Sequence, residues 1–365
     1  MSTSNLELFA TMDYRQIKQN FLEELIIASQ GYPSSIAYIR HLLPDKPIVT
    51  KGHIQAIVIG GTNYNVASYE IGENGTKKEL QRKKGTIPQL DSGETFFSFI
   101  AEHFDAEAVA VALNLGFPLR PEIGQHGEID SAIMYGVKEH AFHGLVNIPI
   151  GKFLKENLKV TIPISVANDT VCLALAGNGD EDGGFVLGSG CNMSITTQHA
   201  DRKVIANLES GNFSKFTPTP GLEAIDEVSP TRGKNRFEKL ISGIYLPMHF
   251  NFMAKQYNIK APTVANGKEV TALATKDQTI IGDLARGVLE RSASLAATLI
   301  AAVYEFRNNP ESMVFLVEGS VFLEGWDFNR NFQKRLSLLG VPEGTIKMKI
   351  VADSSMLGAI GLITK

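Results

Sequence analysis

Apolar residues at Ile17, Phe21 and Leu25 recur every four positions, and this spacing predicts an amphipathic helix over 13–30 that Gly31-Tyr32-Pro33 brings to an end. A linker through Pro44 and Pro47 leads to Ile54–Ile59, which reads as a buried strand. Gly60-Gly61-Thr62-Asn63 breaks that strand, Val66–Glu70 follows as a second one, and Asn74-Gly75 marks a hairpin turn. Asp91 or Ser92 is placed to cap a helix carrying Phe96, Phe97, Phe99 and Ile100. Ala108–Leu113 is strand-like and runs into Gly116-Phe117-Pro118. After a helix near 151–158, Val160–Ala167 predicts a further strand that ends on Asn168-Asp169-Thr170.

A second cycle begins there. Phe185–Leu187 is a strand that breaks on Gly188-Ser189-Gly190 and resumes over Met193–Thr197. Helical stretches occupy 236–257 and 282–307, Val314–Val317 is a strand ending on Glu318-Gly319-Ser320, and Met356–Ile363 fits a closing helix. The order strand, glycine turn, strand, then mixed helices and strands is therefore seen twice, without residue-by-residue repetition. Such alternation argues for an α/β fold with ligand loops at strand ends, and a two-lobed molecule with a central cleft is the expected consequence.

Composition narrows the functional classes. The 365 residues are 44% hydrophobic and 20% charged, enough apolar material for two domains. A net charge of −4 offers no positive field, so neither nucleic acid nor an anionic membrane is expected as a partner. Lys77-Lys78 and Arg82-Lys83-Lys84 read as a solvated face. No segment approaches the roughly 20 apolar residues of a membrane span. The N-terminal stretch has early acidic residues and no sustained apolar core, so it does not read as a signal peptide. Cys172 and Cys191 lack metal-ligand spacing and suggest reduced thiols in a cytoplasmic protein. His140 and His143 have no further Cys or His beside them, so they read as ordinary surface or core residues and no side-chain metal site is expected.

The glycine turns carry the first candidate chemistry. In Gly60-Gly61-Thr62-Asn63 the missing side chains let backbone N–H groups approach phosphate oxygens, and Thr62 and Asn63 add a hydroxyl and an amide. Gly188-Ser189-Gly190 has the same form in the second half. Each turn alone more commonly reads as a plain tight hairpin with no ligand, and neither fits GxxxxGK[ST] or opens a helix as a dinucleotide fingerprint would. Two of them at equivalent places suit a polyphosphate held from both sides. Asn168-Asp169 lies where a strand ends and a helix begins, so it serves either as an N-cap or as a general base that accepts a hydroxyl proton. Glu209 and Glu238 are candidates to chelate the adjacent hydroxyls of a sugar.

In this order these elements resemble the hexokinases, from Phe21-Leu22-Glu23-Glu24 to the C-terminus. The family's LDLGGTNFRV stands here as Ile57-Val58-Ile59-Gly60-Gly61-Thr62-Asn63-Tyr64-Asn65-Val66, its FSFP as Leu115-Gly116-Phe117-Pro118, and its VNDT as Ala167-Asn168-Asp169-Thr170. LGTGxN is similar to Leu187-Gly188-Ser189-Gly190-Cys191-Asn192, and NxEWGxF to Asn207-Leu208-Glu209-Ser210-Gly211-Asn212-Phe213. Asp226-Glu227-Val228 with Asn235–Gly243, and Val317-Glu318-Gly319-Ser320, continue the series. Asp353–Gly361 keeps the closing segment loosely.

The resemblance implies the actin-like ATPase fold, also called ribonuclease H-like. Its expected divisions are an N-terminal helix within 1–47 packing on the large lobe, a small lobe over 48–168, a large lobe over 169–352, and a C-terminal helix at 353–365 returning toward the small lobe. It implies ATP and Mg²⁺ as cofactors and a hexose as substrate, with Asp169 as general base on the 6-hydroxyl. Lys138, Asn168, Asn192, Glu209, Asn235 and Glu238 would hold the sugar. Gly60, Gly61, Thr62 and Asn63 would meet the phosphates from one side, and Gly188, Ser189 and Gly190 from the other. Gly319, Ser320, Ser355 and Gly358 would flank the nucleoside. Four positions depart from the family: Val58 replaces an aspartate, Asn65 an arginine, Gly116 a serine and Val137 a threonine. They motivate two rivals, a sugar sensor with little turnover and a kinase for another hexose such as an amino sugar.

Overall fold

The computed structural model describes residues 12–61, 63–136, 140–200 and 202–365. The first helix, α1 (Tyr14–Ser29), starts where the Asp13 carboxylate accepts the Gln16 N–H, and it buries the stripe Ile17, Phe21 and Leu25. After β1 (Ile39–Leu42), strands β2 (Gly52–Ile59) and β3 (Asn63–Ile71) pair antiparallel, with Ile59 opposite Tyr64, and the hairpin expected at Asn74-Gly75 joins β3 to the next strand. The charged run beyond it is also a strand, β4 (Lys77–Thr86), on the edge of the sheet next to β3. Its residues are largely exposed, as the solvated-face reading requires. No apolar alternation announces the strand, because lysines on an exposed edge are there to be hydrated and to deter further pairing.

Ser92, of the two candidates, caps α2 (Gly93–His103) in a reciprocal box with Thr95. Then come β5 (Ala110–Leu115), the hairpin β6 (Leu119–Ile123) and β7 (Ile129–Ile133), α3 (Ile150–Leu158), β8 (Ile164–Asn168) and α4 (Asp169–Leu175). The remaining strands are β9 (Gly183–Leu187), β10 (Cys191–His199), β11 (Arg202–Asn207), β12 (Met313–Glu318) and β13 (Ile346–Lys349). A single 3₁₀ turn covers Ser210–Asn212. The remaining helices are α5 (Pro220–Glu227), α6 (Glu238–Ile241), α7 (Leu246–Gln256), α8 (Gly267–Lys276), α9 (Ile280–Phe306), α10 (Ser320–Glu324), α11 (Phe328–Leu338) and α12 (Ser354–Thr364). The stretch 236–257 is thus two helices, not one. Gly243 N–H leaves the helical pattern to donate to the Gly188 carbonyl at 2.7 Å, and Pro247 starts α7. Among the described residues no helix is long and apolar enough to cross a membrane.

The chain forms two compact units. One takes α1 through Tyr38, Phe185–Met193 and Leu208–Met348. Its centre is α9, buried along most of its length, with α1, α7, α8 and α11 packed around it. A helix apolar on every side is one that neighbours surround. Phe21 of α1 meets Phe213 edge-on at 5.1 Å, and Phe213 meets Phe237 at 5.6 Å.

The other unit takes Ile39–Gly184, Ser194–Asn207 and Lys349–Lys365. Its sheet runs β4-β3-β2-β5-β8, with β2, β5 and β8 parallel. Period-two alternation sends Ile54 and Ala56 to one face and Ile57 and Ile59 to the other, and both faces are covered. Small residues Ala56, Ala67, Ala110 and Ala112 admit α12 through Met356, Ala359, Ile360 and Ile363. Bulkier Phe96, Phe99, Ile150 and Leu154 of α2 and α3 cover the opposite face.

Candidate active site

In the second unit three parallel strands end level. Ile59 of β2 lies opposite Leu115 of β5, and Leu115 opposite Asn168 of β8. The next residues are Gly60, Gly116 and Asp169, so the carboxyl edge of the sheet presents two glycines and an acid side by side. Ligand sites of open α/β sheets form at this edge. Gly116 N–H donates to the Ile59 carbonyl at 2.9 Å, and Gly60 N–H to the Asn63 carbonyl at 3.0 Å. A Cβ on Gly116 would lie 3.6 Å from Gly60 Cα and 3.7 Å from Asp169 Oδ2.

The N-cap reading of Asn168-Asp169 falls on Asn168. Asn168 is the cap: its Oδ1 accepts from Thr170 N at 3.0 Å and Thr170 Oγ1 at 2.7 Å, and its Nδ2 donates to the Phe117 carbonyl at 3.1 Å. That leaves one N–H of a buried amide for any ligand. Asp169 opens α4, half-buried, with Oδ1 accepting Thr170 N at 2.8 Å. Thr62 and Lys138 lie outside the described residues.

The first unit gathers the other acids. Asn192 Oδ1 accepts from Met193 N at 2.7 Å and from Ser210 N at 3.2 Å, which ties the start of β10 to the turn after Glu209. Glu238, at the start of α6, accepts from Cys191 N at 3.1 Å, and Phe237 N donates to the Gly211 carbonyl at 3.1 Å. Asn192, Glu209 and Glu238 are therefore on segments stitched directly together. Asn235 joins them three residues before Glu238, its carbonyl accepting from Lys239 N. Glu209 and Asn235 both adopt positive φ, 44° and 51°. Asparagine tolerates this region, but a glutamate there costs backbone energy that only the surroundings can offset.

Gly188 closes its turn by donating to the Gly190 carbonyl at 3.0 Å. Gly319, at φ 110°, packs so tightly on this turn that a Cβ would collide with the Leu187 carbonyl. Beside these glycines lies a cavity of about 510 Å³, lined among others by Ser189, Gly243, Asn266, Lys268, Ser320 and Glu324. Asn266 and Lys268 come from the start of α8, which the sequence reading passed over. The signal was present: Asn266 caps the helix by accepting from Glu269 N, and Glu269 Oε2 reaches back to Ala265 N. Of the two expected nucleoside contacts on α12, Ser355 gives its carbonyl to Asn114 Nδ2 at 3.0 Å. At Gly358 a Cβ would collide with the Cys172 carbonyl, so its bareness lets α12 approach α4.

Comparison with known proteins bears on this arrangement. The family profile described as hexokinase matches residues 182–257 and 250–363. This chain belongs to the hexokinase family. Hexokinase-1 of Schizosaccharomyces pombe is 26% identical over 63% of this chain and 54% of its own length. Hexokinase-2 of Rattus norvegicus is 29% identical over 54% of this chain and 25% of its own, so the matched stretch spans about half or less of these curated relatives. Among solved structures, the hexokinase from Schistosoma mansoni complexed with glucose aligns with a TM-score of 0.79 and 21% identity, covering 96% of this chain and 94% of that one. The ROK hexokinase from Thermus thermophilus aligns at 0.59 and 17% over 86% and 98%. The α/β fold is that of these kinases, the actin-like ATPase fold.

The hexokinase pattern makes the departures legible in three dimensions. Gly116 has ordinary van der Waals room around a Cβ and no positive φ. Gly116→Ser should therefore fold normally, set a hydroxyl beside Asp169, and lower the KM for a hexose; an unchanged KM in a variant with unchanged melting would place the sugar away from this loop. Glu209→Gln and Glu238→Gln should each weaken hexose binding by about 1.5–3 kcal/mol, the worth of a charge-assisted hydrogen bond. Glutamine at 238 keeps an acceptor for Cys191 N–H, so the loss should appear in calorimetric titration with glucose and not in a thermal melt.

For a metal, the described residues offer no cluster of three or more His, Cys, Asp or Glu. Val58, half-buried on the α12 face, carries no oxygen, but its two cross-strand neighbours do. Asn65 Oδ1 and Asn114 Oδ1 are both buried without a hydrogen-bond partner among the described residues. Neutral amide acceptors of this kind fit the water ligands of a hydrated Mg²⁺, an ion that keeps several waters when phosphates bring it.

Proposed function

We propose that this protein transfers the γ-phosphoryl group of ATP to the 6-hydroxyl of a hexose, glucose or mannose, with Asp169 as general base. The observation that carries the reading is the level ending of β2, β5 and β8, which sets the Asp169 carboxylate beside the Gly60 turn. Bare backbone there suits a phosphate, and a half-buried carboxylate next to it suits a hydroxyl that must lose its proton as it attacks. The glucose named with the Schistosoma mansoni neighbour supports a hexose as the acceptor.

The remaining roles follow from side-chain chemistry. Asn192, Asn235, Glu209 and Glu238 exchange hydrogen bonds with sugar hydroxyls, with the last N–H of Asn168 and the Lys138 ammonium as further donors. Gly60, Gly61, Thr62 and Asn63 take phosphate oxygens, and Ser189 and Gly190 do so in their own unit. The cavity beside Gly319 and Ser320 accepts the nucleoside. Asn65 and Asn114 would hold the waters of an Mg²⁺ bound with ATP, which would supply neutralisation of phosphate charge. Cys172 and Cys191, both buried and neither in a disulfide, support a reducing compartment such as the cytoplasm.

A coupled assay with ATP·Mg²⁺ against glucose, mannose and an amino sugar tests the proposal. Turnover on a hexose supports it. Hexose binding by calorimetry with no turnover on any sugar would favour the sensor, the reading for which the uncharged Val58 and Asn65 speak.

A further inference from the structure

We propose that Lys84, on the edge strand, is the residue through which the second unit grips the outermost phosphates of the nucleotide; this rests on the kinase reading above. The strand register aligns four residues across the sheet: Lys84 with Asn65, Asn65 with Val58, and Val58 with Asn114. Cross-strand partners share a face, so all four side chains leave the sheet on one side. The neighbours of Lys84 identify that side. Arg82, two residues away on the same face, donates to Asp353 at the start of α12, with Nη1 to Oδ1 at 2.8 Å. Lys83, on the opposite face, reaches Glu102 of α2 at 3.5 Å. The row therefore lies on the α12 side, one step below the hairpin end that carries Gly60 and Asn63.

The cations of this strand are not equivalent. Arg82 is committed to Asp353, Glu79 and the Tyr69 hydroxyl, and Lys83 to Glu102. Lys84 is exposed and has no ion pair among the described residues. A lone ammonium in water is ordinary, but this one stands at the edge of a row that holds two buried acceptors without a partner among the described residues, Asn65 Oδ1 on the adjacent strand and Asn114 Oδ1 two strands further in, and Asn114 is only 1% exposed. A buried acceptor left unsatisfied is costly, so the row calls for a donor from outside. A phosphate accompanied by a hydrated cation completes it. Lys84 meets the anion, and the Asn65 and Asn114 amides would accept from the waters of an accompanying cation. The first turn of α12, starting at Ser354 beside Asn114, adds N–H groups and the positive end of its dipole. An ammonium supplied from β4 also does what an uncharged residue at position 65 cannot.

The test compares ATP·Mg²⁺ and AMP binding to wild-type protein, Lys84→Met and Lys84→Arg by calorimetry, with melting curves alongside. Methionine keeps the stem and removes the charge. Loss of one charge-assisted contact should weaken ATP about 10-fold or more, leave AMP unchanged, and be largely repaired by arginine. Equal weakening of ATP and AMP would make Lys84 structural and overturn the proposal. Unchanged ATP affinity in Lys84→Met, with a wild type that phosphorylates hexose, would overturn the role of Lys84 alone. A wild type that binds neither nucleotide would remove the kinase reading, and this inference with it.

Discussion

Replacing Asp169 by alanine is expected to slow phosphoryl transfer to a hexose roughly 10²–10⁴-fold, the usual weight of a general base, while sugar affinity stays close to wild type. Asp169→Asn sharpens the experiment. It keeps an oxygen for Thr170 N–H, and Asn168 supplies the helix cap in any case, so α4 should remain folded. Only basicity is lost. Single-turnover rates measured beside calorimetric hexose titration separate chemistry from binding. Near wild-type turnover in Asp169→Asn would reduce Asp169 to part of a helix start, and the mechanism would have to be abandoned.

The second large effect concerns stability. Lys239 is wholly buried and pairs with Asp226 at 2.5 Å, donating also to the Thr231 carbonyl at 2.7 Å. Asp226 accepts in addition from Gly233 N at 3.1 and 3.0 Å. Burial alone would raise the Asp226 pKa, but the Lys239 hydrogen bond, the Gly233 N–H and the charges of Lys239 and Arg236 outweigh it and hold the carboxyl below its ordinary value. Lys239→Met strands that charge and should cost about 3–5 kcal/mol in a denaturant melt at pH 7. The sign of the pH dependence follows. A depressed carboxyl pKa gives stability that is complete above the unfolded value near 4 and fades as pH falls through the lower native value. The gap between wild type and Lys239→Met should therefore shrink below about pH 4, and Asp226→Leu with Lys239→Met should recover much of the loss. A gap constant down to pH 3 would mean that the buried pair is not ionised. Because Glu238 adjoins Lys239, the single variant should also weaken hexose binding.

Much of the candidate site is legible in sequence, for local reasons. Gly60-Gly61 and Gly188-Ser189-Gly190 interrupt apolar strands, and only tight turns use glycine that way. Asn168-Asp169 ends the run Ile164–Ala167 with two good helix-starting residues, and a helix does start there. Other parts have no local signature. The break in 236–257 answers to Gly188, over fifty residues earlier in the chain, and nothing near Gly358 in sequence tells that α4 packs against it. The start of α8 does carry a capping pattern at Asn266 and Glu269, too short a signal to read among polar neighbours.

By itself, then, the sequence determined the strongly periodic strands and helices and which turns are bare, because periodicity and glycine act over a few neighbouring residues. Only the tertiary structure decided that Ile59, Leu115 and Asn168 end level, so that Gly60, Gly116 and Asp169 stand together. It alone aligned Lys84 with Asn65, Val58 and Asn114. Strand register is set by how two faces bury their side chains against α12 on one side and α2 and α3 on the other. A slip of one residue would turn every one of those side chains to the wrong face. That constraint is felt between segments far apart in the chain, and it exists only once they are packed.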